Sequence, residues 1–225
     1  MRRTYYSWCK RTKIRVRAME LNRPLTTVTP TLDGDVLGVL AGSEGTFTTG
    51  QLHRVLGRRS EEGIRKVLQR LVRQGVVHAD RVGNAFAYRL NRDHLAAEHI
   101  IGLSDLRGKL LERIESALAD WRLRPQYGAV FGSAARGSMV AESDIDLLLV
   151  RPDGADEDRW ALQVDGLAAD VSRWTGNDAR ILEFTVAEVA TRGRDEPVLA
   201  DALRDGLTVA GRHSWLAGQI RKRKS

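Results

Sequence analysis

Residues 129–150 read Ala129-Val130-Phe131-Gly132-Ser133-Ala134-Ala135-Arg136-Gly137-Ser138-Met139-Val140-Ala141-Glu142-Ser143-Asp144-Ile145-Asp146-Leu147-Leu148-Leu149-Val150. The first part is an apolar strand that stops at Gly132-Ser133, where a glycine permits close backbone approach and a serine can cap a short helix. Such a strand-to-helix turn presents backbone N–H groups to a phosphate. The last part is a second strand. Side chains two apart in a strand point to the same side, so Asp144 and Asp146 share a face. Ile145 and Leu147 take the other, and the unbroken run Leu147 to Val150 suits a strand covered on both sides. Two neighbouring carboxylates repel each other unless a cation sits between them. Mg²⁺ (or Mn²⁺) suits the place, because it takes one or two carboxylates together with phosphate oxygens. Two such ions can bridge the attacking and leaving oxygens of a phosphoryl displacement.

Phe131-Gly132-Ser133, ten intervening residues and Asp144-Ile145-Asp146-Leu147 resemble the nucleotidyltransferase superfamily of DNA polymerase beta type, in particular its minimal bacterial members. Ala135-Arg136-Gly137 and Ser143-Asp144 match further preferred positions, and the resemblance extends over about residues 100 to 212. It implies a mixed-sheet α/β (α+β) fold that binds a nucleoside triphosphate with Mg²⁺, transfers the nucleoside monophosphate to an acceptor and releases pyrophosphate. By the same resemblance Asp144 and Asp146 hold metal, and Gly132, Ser133, Arg136, Gly137 and Ser143 bind the nucleotide. Active members carry a third carboxylate on a later strand. Here that strand is Ala179 to Phe184, and the preferred register puts Arg180 at the acidic position. Glu183 is the alternative third catalytic acid, although its side-chain parity is opposite to that of Arg180, and Asp178 stands at the strand's start.

Upstream, Leu32, Val36, Val39 and Leu40 recur at helical spacing until Gly42, and Thr49 to Leu56 predicts a second helix ended by Gly57. Ser60-Glu61-Glu62 has the cap-plus-acid start of a third, with Ile64, Val67, Leu68, Leu71 and Val72 on one face. The runs 76–79 and 85–90, joined by Asp80 to Asn84, predict a hairpin. This order resembles the winged helix-turn-helix domains of bacterial DNA-binding regulators. It implies that the third helix enters the major groove of double-stranded DNA and that the hairpin touches phosphate. The candidate DNA-binding residues are Arg58, Arg59, Arg65, Lys66, Arg70 and Arg81. Winged helices often act as dimers, although no homodimer face can be read from the sequence.

The whole chain of 225 residues carries a formal charge of +7, unevenly spread. Residues 1–23 alone carry +7, residues 24–95 carry +3 and residues 96–225 carry −3. The expected organisation is therefore a basic, flexible arm over 1–30, a winged helix-turn-helix over 31–95 and a nucleotidyltransferase-like domain over 96–225. Met19 stands just before the first folded segment, so the basic arm could be an over-extended start, and the run Arg221 to Lys224 reads as a solvated tail. A single cysteine, Cys9, excludes a disulfide framework or zinc cluster and fits a reducing, cytoplasmic home. The five histidines lack metal-ligand spacing, and no apolar run approaches the roughly 20 residues of a membrane span. Ser104 predicts the cap of a helix striped by Leu106, Leu110, Ile114, Leu118 and Trp121, while Trp160, Val164, Leu167, Val171 and Trp174 stripe another. Thr185 and Glu188 predict a capping box.

Overall fold

A computed structural model describes residues 19–57, 59–140, 142–193 and 195–221. Most of the basic arm, Arg58 and the end of the basic tail fall outside the described residues. The chain divides into two compact units, Glu20–Lys109 and Leu110–Ser225, with Met19 belonging to the second.

In the N-terminal unit, α1 (Leu32–Ala41), α2 (Thr49–Leu56) and α3 (Glu61–Arg73) precede a hairpin of β2 (Val77–Val82) and β3 (Ala85–Leu90). α2 and α3 start where their cap chemistry places them. Thr48 and Gln51 exchange hydrogen bonds in a capping box, and the Ser60 side chain accepts from the Gly63 N–H at 3.1 Å. Val82 pairs with Ala85, so the hairpin turns on Gly83 and Asn84 alone, with Gly83 at φ +61°. One strand lay beyond the sequence reading: Phe47 and Thr48 form β1, which pairs with β3 to give the order β1-β3-β2. Two residues among Gly, Ser and Thr carry no alternation that could announce a strand. The fold also begins earlier than residue 31. Leu21 and Leu25 are buried, and Arg23 donates to Asp35 at 2.8 Å, so the final third of the expected flexible arm is part of the core. Ile64, Val67, Leu68 and Leu71 of α3 meet Val36, Leu37, Leu40 and Leu52 in that core. Ser104 does not open a helix. It closes α4 (Ala97–Ser104), donating its hydroxyl to the Ile101 carbonyl at 2.8 Å.

The C-terminal unit is built on a four-stranded mixed sheet of order β6-β5-β4-β7. The strands are β4 (Tyr127–Phe131), β5 (Ile145–Arg151), β6 (Ala179–Thr185) and β7 (Leu207–Ala210). The β5–β6 pair is parallel and the others antiparallel. Parallel neighbours need a long crossover, which α7 (Glu157–Thr175) supplies. Leu147, Leu148, Leu149 and Val150 are all fully buried, as expected of a strand covered on both faces. One side of the sheet packs Phe131, Leu148 and Val150 with Val189 of α8 (Val186–Arg192), Leu199 of α9 (Pro197–Asp205) and Leu216 of α10 (His213–Arg221). On α5 (Leu106–Ala119), Leu110, Ile114 and Leu118 are buried, and Trp121 beyond it meets Trp160 edge-on at 5.4 Å. Among the described residues no helix is long and apolar enough to cross a membrane.

Candidate active site

β4 and β5 run antiparallel with Phe131 opposite Asp146, so the chain leaves β4 at Gly132 directly beside that carboxylate. Gly132 has φ +69°, and a Cβ built on it would lie 2.5 Å from Asp146 Oδ2. Both the backbone angle and the space therefore demand glycine here. The short helix α6 (Gly132–Arg136) follows and ends at Gly137, again left-handed at φ +68°. Ser133 lies in its first turn, and its carbonyl accepts from the Ser138 N–H at 3.1 Å. Buried Met139 anchors the return loop.

That loop is held at its far end by reciprocal bonds. The Ser143 hydroxyl accepts from the Val140 N–H at 3.0 Å, and the Ser143 N–H donates to the Val140 carbonyl at 2.9 Å. Asn177, 2% exposed, donates its side-chain amide to the Ser143 carbonyl at 2.9 Å. The Ile145 N–H donates to the Asp178 carbonyl at 2.8 Å. Asn177 thus fixes the backbone that delivers Asp144, a role the sequence reading missed, because a buried amide that bonds to a distant carbonyl leaves no local pattern.

Asp146 is the second residue of β5, and Asp144 stands one residue before the strand, on the other side of Ile145. Burial, and then the neighbouring Asp144, push the Asp146 carboxyl above the ordinary carboxylate range, while Arg180 and Arg136 partly offset this. Arg180 stands opposite Asp146 on β6, and its guanidinium meets Asp144 Oδ2 at 2.7 Å. The Arg136 guanidinium lies 4.0 Å from Asp205 Oδ2 at the end of α9. Gly132, Ser133, Arg136, Gly137 and Ser143 therefore all belong to the turn and loop that carry the two aspartates.

Glu183 does not join them. It pairs in register with Leu149, whereas Arg180 pairs with Asp146, so its side chain takes the opposite face of β6. There it accepts from the Trp160 indole N–H and lines an open groove of about 310 Å³ with Arg151, Glu157, Thr185 and Glu188. The alternation of the strand thus removes Glu183 from the catalytic set. Asp178, just before β6, is exposed. Among the described residues no three His, Cys, Asp or Glu side chains group so as to hold a metal ion.

Most of the basic candidates of the N-terminal unit have acidic partners. Arg59 meets Asp35 at 2.8 Å, Arg65 meets Glu62 at 3.1 Å, Lys66 meets Glu62 at 3.8 Å, and Arg70 meets Asp33. The Arg81 side chain donates to the Gly83 carbonyl at 3.3 Å. All four of these α3-associated cations remain exposed.

Residues 112–189 match the family model described as a nucleotidyltransferase domain. No curated protein matches the chain. Among solved structures, similarity extends to the complex of a tri-AMPylated Shewanella oneidensis HEPN toxin with its MNT antitoxin, at 16% identity over 51% of this chain and 80% of that one, with a TM-score of 0.34. A putative nucleotidyltransferase from Sulfolobus solfataricus is 22% identical over 46% of this chain and 79% of that one, with a TM-score of 0.29. TrmBL2, an archaeal chromatin protein, is 14% identical over 81% of this chain and 77% of that one, with a TM-score of 0.28. Residues 112–189, which carry both aspartates and the Gly132-Ser133 turn, thus match a nucleotidyltransferase domain.

Proposed function

From this nucleotidyltransferase domain we infer a metal-dependent enzyme that moves a nucleoside monophosphate from a nucleoside triphosphate to an acceptor. Its N-terminal unit, read as a winged helix-turn-helix, brings it to double-stranded DNA. The observation that carries the reading is the pair of carboxylates joined by Arg180, Asp144 and Asp146, the second of them packed against the positive-φ turn at Gly132. The residues suit a divalent cation, since burial and then the charge of Asp144 raise the Asp146 carboxyl, and a bound cation offsets both. Mg²⁺ or Mn²⁺ on the two carboxylates would neutralise charge on the triphosphate and on the attacking and leaving oxygens. Beside it, the N–H groups of the Gly132-Ser133 turn would be available to phosphate oxygens. Arg136, on the same short helix, adds positive charge on that side. The Asn177 and Ser143 bonds keep Asp144 from drifting, which matters because misplacement by about 1 Å can cost about 10²-fold in rate.

A second reading has an observation of its own. Arg180, Leu182 and Phe184 are the β6 residues that share the face of Asp146, so β6 adds no third carboxylate there, and Arg180 already neutralises Asp144. This favours a DNA-binding regulator whose second unit senses nucleotide without turning it over.

Incubation of the purified chain with nucleoside triphosphates labelled at the α-phosphate, Mg²⁺ and a cell extract as acceptor source separates the two. The enzyme reading predicts labelled product and pyrophosphate, both reduced by about 10³-fold or more in Asp144→Asn/Asp146→Asn, since several kcal/mol of charge stabilisation leave with the ligands. Transfer undiminished in the double variant would sink the assignment.

A further inference from the structure

We propose that Arg180 is a built-in counter-ion that competes with the divalent cation for Asp144 and so sets the metal affinity of the site. The inference rests on the functional reading above and adds a residue to it. The parallel register of β5 and β6 puts Arg180 beside Asp146, and from there its guanidinium reaches Asp144 Oδ2 at 2.7 Å. One positive charge thus already serves two carboxylates that would otherwise repel each other. The pair is asymmetric: the Asp144 side chain is 23% exposed and that of Arg180 is 70% exposed. The carboxylate is fixed by the backbone bonds of Ser143 and Ile145 on either side of it, whereas the guanidinium sits at the end of a long side chain on the edge strand, with solvent to move into.

A cation coordinated directly by Asp144 would sit about 2.1 Å from the same oxygen, leaving two positive charges within a few ångströms of each other. Metal entry therefore expels Arg180, and by reciprocity Arg180 weakens the metal. The exposed ion pair is weakly held and screened by salt, so the guanidinium is displaced at millimolar metal and reseats when the metal leaves. Arg180 acts through Asp144 and is a positioning residue.

The test is Mn²⁺ binding to the full chain, followed by the loss of the free-ion electron paramagnetic resonance signal without any nucleotide or turnover. Arg180→Ala and Arg180→Met should each bind Mn²⁺ about three- to tenfold more tightly than the wild type, from removal of a competing exposed ion pair and its charge. Arg180→Lys, which keeps the charge, should stay within about twofold of the wild type, a rescue that a purely structural role would not produce. Placing Asp144→Asn and Asp146→Asn in the Arg180→Ala background should abolish the gain. Two neutral variants, one retaining most of the aliphatic stem, guard against a folding artefact. Unchanged or weaker binding in both neutral variants overturns the inference while leaving the functional reading intact, as does a gain that survives loss of the aspartates. Absence of Mn²⁺ binding in every protein, Arg180→Ala included, overturns the functional reading and the inference together.

Discussion

On α3 the exposed Arg65 faces Glu62 at 3.1 Å across one helical turn, whereas Asp144, just before β5, is mostly covered and meets the exposed Arg180 of β6 at 2.7 Å. Both regions pair their functional charges within the chain, but they differ in what a ligand must overcome. The helical pairs join solvated ends, are worth about 0.3–0.5 kcal/mol each and exchange readily for phosphate oxygens. The second site keeps two carboxylates partly out of water, with Arg180 and Arg136 only partly offsetting the rise of the Asp146 carboxyl, so the α3 surface is locally balanced and the aspartate pair is not. The sign of the unmet charge, more than the number of charged residues, thus tells which partner a surface awaits.

After loss of the aspartates themselves, the largest effect is expected at Gly132, whose turn packs against Asp146. Gly132→Ala places a β-carbon against Asp146 Oδ2 at a positive φ. Nucleotidyl transfer should fall by about 10²-fold through misplacement of the reacting groups, with a stability loss of about 1–3 kcal/mol from the strained angle. Normal transfer kinetics in a stable Gly132→Ala protein would show that the turn and the carboxylates do not act together.

A smaller effect is expected on the helix. Arg65→Ala and Lys66→Ala should weaken binding to duplex DNA and lower the slope of log affinity against log salt by about 0.9 for each phosphate left without its cation. Equal affinity and slope in wild type and variants would mean that α3 is no groove-facing element. The pairs with Glu61 and Glu62 would then be its whole electrostatic role.

The smallest effect concerns the covered carboxylate and is read through pH. The Asp146 carboxyl is raised in the folded chain, so the folded state binds its proton more readily than the unfolded chain does, and this contribution to stability is present at acid pH and lost as pH rises through the folded value. Asp146→Asn should therefore raise the melting temperature at neutral pH in metal-free buffer and lose that advantage as pH falls. A variant equally or less stable across the range would show that Asp146 bears no repulsion for a cation to relieve.

Much of this was legible because short-range chemistry governs it. The Gly132-Ser133 corner, the closeness of Asp144 and Asp146 and the doubly covered run after them follow from the pattern of one short segment. The register that gives Arg180 rather than Glu183 to the site could be ordered from the same alternation but not closed, since it depends on how β6 aligns with β5. Asn177 and β1 were not legible, because each is defined by a partner remote in sequence: the Ser143 carbonyl for the first, and Tyr88 and Ala87 of β3 for the second. The burial of Leu21 and Leu25 was masked by the basic residues around them, whose charge suggested a solvated arm. The aliphatic pair at helical spacing was the signal available.

Crystals grown with Mn²⁺ and a non-hydrolysable triphosphate, examined by anomalous diffraction at the manganese edge, put the paired aspartates to the sharpest trial. Manganese should be bound by the Asp144 and Asp146 carboxylates, with phosphate oxygens against the Gly132-Ser133 turn and the Arg180 guanidinium withdrawn from Asp144. Triphosphate bound elsewhere, or manganese absent from both aspartates with Arg180 still seated, would contradict this view of the site.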